Sequence, residues 1–162
     1  MKKTITFVTH GSQYEGADPS MTAAGILLMR PLSCLLPANP SVICGTGRRH
    51  LDTYEALKLR DQPTLWTPLV GGAETFTERN LQKTVLLACN MTIPKSQYAT
   101  KEVKDPLLSV LNNAPDGCVV CSGRRYLAVL GKADALSGSV YRISFKGKPI
   151  LDNLDIQEVI LP

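Results

Sequence analysis

The chain has 162 residues, 44% hydrophobic and 20% charged, which is apolar material for one compact domain spanning 1–162 and not for two. Eighteen basic against fourteen acidic side chains leave +4, too mild and too scattered for the basic stripe of a nucleic-acid binder. The longest apolar candidate, 23–36, is broken by Arg30 and Pro31 and falls short of the roughly 20 residues that span a bilayer, so no membrane partner is expected.

The chain enters directly into a strand, about 4–8, too short for the ~7–15-residue core of a signal peptide. It ends at Thr9-His10-Gly11-Ser12. A polar loop follows, and Thr22 is placed to cap a helix from Ala23 toward Leu36 that Pro31 must break near Arg30, since an interior proline costs ~3 kcal/mol. Ser41 to Cys44 reads as the second strand, closed by Gly45-Thr46-Gly47. Arg48 to Leu59 then reads as a polar helix with apolar positions at Leu51, Tyr54 and Leu57 or Ala56. Two arginines at a helix N-terminus oppose the macrodipole, which points to an anion there.

Thr64 to Val70 is a third strand, at an edge or ending early because of Pro68. Residues 84–89 form a further apolar run, and Asp105-Pro106 is placed to start a helix that stops near Asn113. Pro115-Asp116-Gly117 turns the chain into Cys118-Val119-Val120-Cys121, a strand buried on both faces, followed by Ser122-Gly123-Arg124-Arg125 and a short helix from Tyr126. Residues 139–145 alternate as a strand, and the turn at 146–149 implies an antiparallel hairpin closing the sheet. Strands alternating with helices predict an α/β fold, a three-layer α/β/α sandwich around a mostly parallel central sheet.

Five cysteines, an odd number in largely apolar surroundings, read as free thiols in a reducing cytoplasm. Cys118 and Cys121 have metal-like spacing. Within a strand, however, residues three apart point to opposite faces, so neither a metal site nor a cofactor is expected.

In open α/β sheets ligands bind beyond the carboxyl ends of the strands. There the sequence places Thr9-His10-Gly11, Gly45 to Arg49 and Ser122 to Arg125: an imidazole, guanidiniums and glycines, the donors that hold a phosphate or similar anion. His50, one residue past Arg49, reads as turned away from such a pocket.

These motifs resemble those of the histidine phosphatase (phosphoglycerate mutase-like) superfamily. Thr9-His10-Gly11 and Met21-Thr22-Ala23-Ala24-Gly25 are similar to that superfamily's Arg-His-Gly and Leu-Thr-x-x-Gly. Residues 45–53 are similar to Ser-Pro-Leu-x-Arg-Ala-x-x-Thr, with Arg49 and Thr53 in register, and Val120-Cys121-Ser122-Gly123 to Val-Ser-His-Gly. The resemblance implies His10 as the phosphate-attacking residue and Arg49 as a phosphate ligand. Glu74 is the matching position for the leaving-group acid, with Glu78 beyond it. The first arginine and the second histidine of the pattern are missing, leaving Thr9, Ser122, Gly123 and Arg124 as substitute phosphate-binding positions.

Two missing donors, each worth ~3–4 kcal/mol, imply a phosphate- or phospho-ligand-binding protein with weak or lost phosphatase activity. An active phosphomonoesterase with a phosphohistidine at His10 is the first alternative. A non-catalytic interaction module on the same scaffold is the second. The expected partner is a phosphorylated small molecule or phosphate-like anion, with any protein partner left open.

Overall fold

The structure is a computed structural model that describes residues 1–15, 18–72 and 101–162, with Lys101 and Glu102 described by backbone alone. Its six-stranded sheet has the order β3-β2-β4-β1-β5-β6. The strands are β1 (Lys2–Thr9), β2 (Val42–Cys44), β3 (Thr64–Trp66), β4 (Val119–Ser122), β5 (Val140–Lys146) and β6 (Asp155–Val159). β3, β2, β4 and β1 run parallel, whereas β1 with β5 and β5 with β6 pair antiparallel. The sheet is therefore mixed and not mostly parallel: the closing hairpin read from 139–149 contributes two antiparallel pairings. The early end of the third strand also follows the sequence, since β3 lies at the sheet edge and gives way to a 3-10 turn over Pro68–Val70.

Side-chain alternation divides the core into the two halves that a three-layer sandwich requires. Ile5, Phe7, Ile43, Cys118 and Val120 pack on one face with Leu107, Leu111 and Leu127 from α3 (Lys101–Asn113) and α4 (Arg124–Val129). Val8, Val42, Cys44, Val119 and Cys121 pack on the other face with Met29 from α1 (Ala23–Met29) and Tyr54 and Ala56 from α2 (Arg48–Ala56). Cys118 and Cys121 thus fall on opposite faces. Burial pushes the Cys118 thiol up to about 11, while contact with Cys44 and burial raise Cys121. Both thiols are protonated core groups, and no metal-holding cluster occurs among the described residues.

Local chemistry fixes the boundaries. Thr22 Oγ1 accepts from Gly25 N at 3.0 Å, capping α1, and the helix gives way at Arg30 to a 3-10 segment, Arg30–Leu35, that accommodates Pro31 in its first turn. Three expectations shift. The helix expected from Asp105 already includes Lys101, and Pro106 lies inside it, where it has no N–H to donate. The helix expected from Tyr126 begins at Arg124, capped by Gly123. On α2, Leu51 is exposed and the buried face is Arg49, His50, Thr53, Tyr54 and Ala56. The apolar run at 84–89 lies outside the described residues.

The Met21-Thr22-Ala23-Ala24-Gly25 segment lies across the loop after β1. A Cβ on Gly25 would stand 2.7 Å from the Ser12 carbonyl oxygen, a backbone atom with no freedom to retreat. Gly25→Ala would stabilise an ordinary helix by up to about 1 kcal/mol, but here overpacking reverses the sign and a loss of about 1–3 kcal/mol is expected. Urea unfolding checks this; an unchanged or raised midpoint contradicts the packing described.

Candidate functional site

The parallel strands deliver their carboxyl ends to one rim, with Thr9 opposite Ser122 and Cys44 opposite Cys121. Backbone bonds lock the following residues together: His10 N donates to the Ser122 carbonyl at 3.1 Å, Gly45 N to the Cys121 carbonyl at 3.0 Å, and Thr46 N to the Gly71 carbonyl at 2.7 Å. Segments distant in sequence thereby meet, and His10, Arg49, Ser122, Gly123 and Arg124 all stand at this end of the sheet.

His10 is half-buried, and its Nδ1 lies 2.9 Å from the Gly11 carbonyl oxygen. A carbonyl only accepts, so Nδ1 carries the proton and Nε2 keeps its lone pair. Nε2 faces Gly123, where an added Cβ would lie 3.3 Å away. Burial, then the charge of Arg49, lower the His10 pKa from 6.5 to about 3, with smaller contributions in the same direction from Arg125 and Arg124 against the Gly11 bond. At neutral pH the ring is an uncharged base beside cations.

Arg49 is 4% exposed, and its Nη1 donates to the Gly72 carbonyl at 3.2 Å. Burial and Arg125 lower its pKa to about 10, so it stays charged at neutral pH. Gly47 gives it room, because a Cβ there would stand 2.7 Å from Nη1. The first N–H of α2, from Arg48, is taken by the chain's own Asp18 Oδ1 at 2.8 Å. An internal carboxylate therefore fills part of the anionic role that the arginine-bearing helix start suggests.

The substitute ligands divide. Thr9 Oγ1 donates to the Leu136 carbonyl at 2.7 Å and accepts from Ser139 N at 2.9 Å, while Ser122 Oγ donates to the Val70 carbonyl. Both hydroxyls join the sheet to neighbouring loops. Arg124 is buried, with Nη1 donating to the Ala135 carbonyl at 3.3 Å. Arg125, half-buried over the Tyr126 ring, acts more strongly than Arg124 on His10. Glu74 and Glu78 lie outside the described residues.

His50 is where sequence reasoning misplaces a residue. Its ring is fully buried and meets the His10 ring edge to face, centroids 5.5 Å apart at 68°. A Cβ on Gly45 would come within 2.6 Å of its Cδ2, and one on Gly71 would overlap Nε2. The missed signal is periodic: positions 50, 53, 54 and 57 keep helical spacing and are all buried, so the inward stripe of α2 runs through His50 and not Leu51. Burial, Arg49, His10 and Arg125 together hold His50 well below its ordinary pKa, opposed by the Ser122 backbone. An apolar cavity of about 450 Å³ between β3 and α3, lined by Val42, Leu65, Leu69 and Val110 among others, holds neither imidazole nor guanidinium and is not the candidate site.

No protein-family model matches this sequence. No curated protein matches it either. Solved structures do. A protein named as a phosphohistidine phosphatase, SixA, from Nakamurella multipartitia superposes with a TM-score of 0.64 at 16% identity, covering 100% of this chain and 97% of that one. A phosphoglycerate mutase from Thermus thermophilus gives 0.62 at 16% identity, covering 98% and 99%. The chain therefore shares the fold of these phosphatase and mutase structures. No helix among the described residues is long and apolar enough to cross a membrane.

The two lowered imidazoles make stability pH-dependent. Between the ordinary value of 6.5 and the folded value near 3 for His10, the unfolded chain binds the extra proton, so stability is full above 6.5 and is lost as pH falls through this window. Each ring contributes at most about 1.4 kcal/mol per pH unit. Urea midpoints from pH 7 to 5, above the range of ordinary carboxylates, are expected to fall; a flat profile contradicts neutral rings.

Proposed function

We propose that the chain, as one domain spanning 1–162, binds phosphate or a phosphorylated small molecule at the rim of the sheet, with His10 and Arg49 as its principal contacts and phosphatase activity weak or lost. The observation that carries this reading is the state of His10: Nδ1 is tied to Gly11, Nε2 keeps a lone pair, and among the described residues the charged side chains acting on the ring are Arg49, Arg125 and Arg124. Such a group of charges favours an anion. The SixA relative, named as acting on phosphohistidine, and the mutase, named for a phosphorylated acid, fit the same ligand class.

Weak turnover follows from the donors. Thr9 stands where the superfamily pattern has arginine, Ser122 where it has histidine, and both hydroxyls already serve the scaffold. Two lost donors, each worth ~3–4 kcal/mol, imply a rate deficit of about 10⁴-fold or more unless Arg124 or Arg125 compensates.

One observation favours an active enzyme instead: the available Nε2 lone pair is the nucleophile for a phosphohistidine mechanism. There the N–P bond forms as the ester P–O bond breaks, and water then releases phosphate. The readings separate on turnover. Vanadate and inorganic phosphate at millimolar concentration are expected to raise the melting temperature, with affinity about tenfold or more lower in Arg49→Ala. Hydrolysis of p-nitrophenyl phosphate is expected to be slow and absent in His10→Ala. Rapid turnover by the native protein selects the active enzyme; no thermal shift with either anion removes the phosphate site.

A further inference from the structure

His10 and His50 are the only two histidines in the chain. The superfamily pattern has alanine directly after the helix arginine, where this chain has His50, and histidine at the strand end, where this chain has Ser122. The two departures meet in space. The Gly123 that follows Ser122 lies between both rings: a Cβ there would stand 3.3 Å from His10 Nε2 and 4.0 Å from His50 Cε1. The imidazole lacking from β4 is present beside His10, carried by α2.

A core-filling role does not explain the choice of residue. His50 is wholly buried, yet neither ring nitrogen makes a hydrogen bond of standard geometry among the described residues. One unsatisfied buried nitrogen costs about 1–3 kcal/mol, which an aliphatic side chain of similar size would avoid. Gly45 and Gly71 are also shaped to this ring, since a side chain at either would collide with it. The Ser122 backbone offsets part of that cost without giving a bond of standard geometry, so leucine would fill this space at least as well and the imidazole is the choice that needs explaining.

We infer that His50 takes over from α2 the place of the missing strand-end histidine and acts as the positioning residue for His10, holding its ring edge-on and shielded from water in the orientation that presents Nε2. The inference deepens the phosphate reading above and rests on it. The edge-to-face contact restricts rotation of the His10 ring, whose other fixed point is the Nδ1 bond to Gly11. Among the described residues the charged groups acting on this pair are Arg49 from α2 and Arg124 and Arg125 from α4, while the Gly11 and Ser122 backbones favour protonation of His10 and His50 respectively. The charge of His10 opposes a proton on His50, whereas His50, itself neutral, acts on His10 by holding its ring in the buried site, so release of that ring shows as a rise of its titration toward 6.5.

With two histidines, selective 15N labelling gives one set of ring resonances for each. In His50→Leu the His10 titration midpoint is expected to rise by about one pH unit or more toward 6.5, and vanadate affinity to fall about tenfold. His50→Gln, which returns a polar nitrogen to the same space, is expected to recover most of both. A folded His50→Leu protein with His10 titration and vanadate affinity both unchanged overturns the inference. Should neither variant fold, vanadate added to the native protein is expected to move the ring resonances of both histidines; movement confined to His10 overturns it equally. If the native protein binds no vanadate while the His10 midpoint still moves in His50→Leu, the phosphate reading fails and the coupling of the rings stands.

Discussion

Two uncharged imidazoles in edge contact, pressed against bare glycine backbone where the strands end, set the terms for the structure around them. Rings at 5.5 Å, one of them fully buried, tolerate no side chain at Gly45 or Gly71 and hardly one at Gly123. The same enclosure withdraws water from both rings, so protonation is resisted first by burial and then by the neighbouring arginines. An ionised pair in this space would repel itself. The neutral state that packing demands is also the state in which His10 Nε2 has electrons to offer.

The rest of the fold holds this arrangement at a fixed height. Parallel strands bring Thr9 level with Ser122, so the residues after them emerge at one rim, and backbone bonds join the β1, β2, β4 and Gly71 segments before any side chain takes part. Thr9 and Ser122 commit their hydroxyls to the Leu136 and Val70 carbonyls of neighbouring segments. The chain has therefore given polar groups to rigidity where the superfamily pattern places phosphate ligands. On the function proposed above, those two missing donors are the reason turnover is expected to be slow.

Much of this is readable in the sequence because it depends on local chemistry. Thr22, Pro31 and Pro68 mark boundaries through capping and the missing proline N–H, and the apolar runs of β2 and of β4 up to Cys121 are unbroken because both faces are covered. The antiparallel closing hairpin of β5 and β6 is legible from the alternation at 139–145 and the turn after it, whereas the antiparallel pairing of β5 with β1, which makes the sheet mixed, is a tertiary property. His10 and Arg49 are legible from their positions after strands. His50 is not, because hydrophobicity anchors the stripe of α2 on Leu51, the more apolar residue, when the buried face in fact carries an arginine, a histidine and a threonine. A polar site under a helix inverts the usual hydrophobic signal. The anchoring of Thr9 and Ser122 to loop carbonyls likewise leaves no trace in composition.

An anion site at this rim depends on His10 presenting Nε2 among the arginines, with His50 at its flank. A crystal structure of the vanadate complex tests that most directly. Vanadium within bonding distance of His10 Nε2, its oxygens reached by the Arg49 guanidinium and the His10 ring still edge-on to His50, is the predicted result. Vanadate seated away from His10, or a His10 ring rotated so that Nδ1 leaves the Gly11 carbonyl, would contradict it.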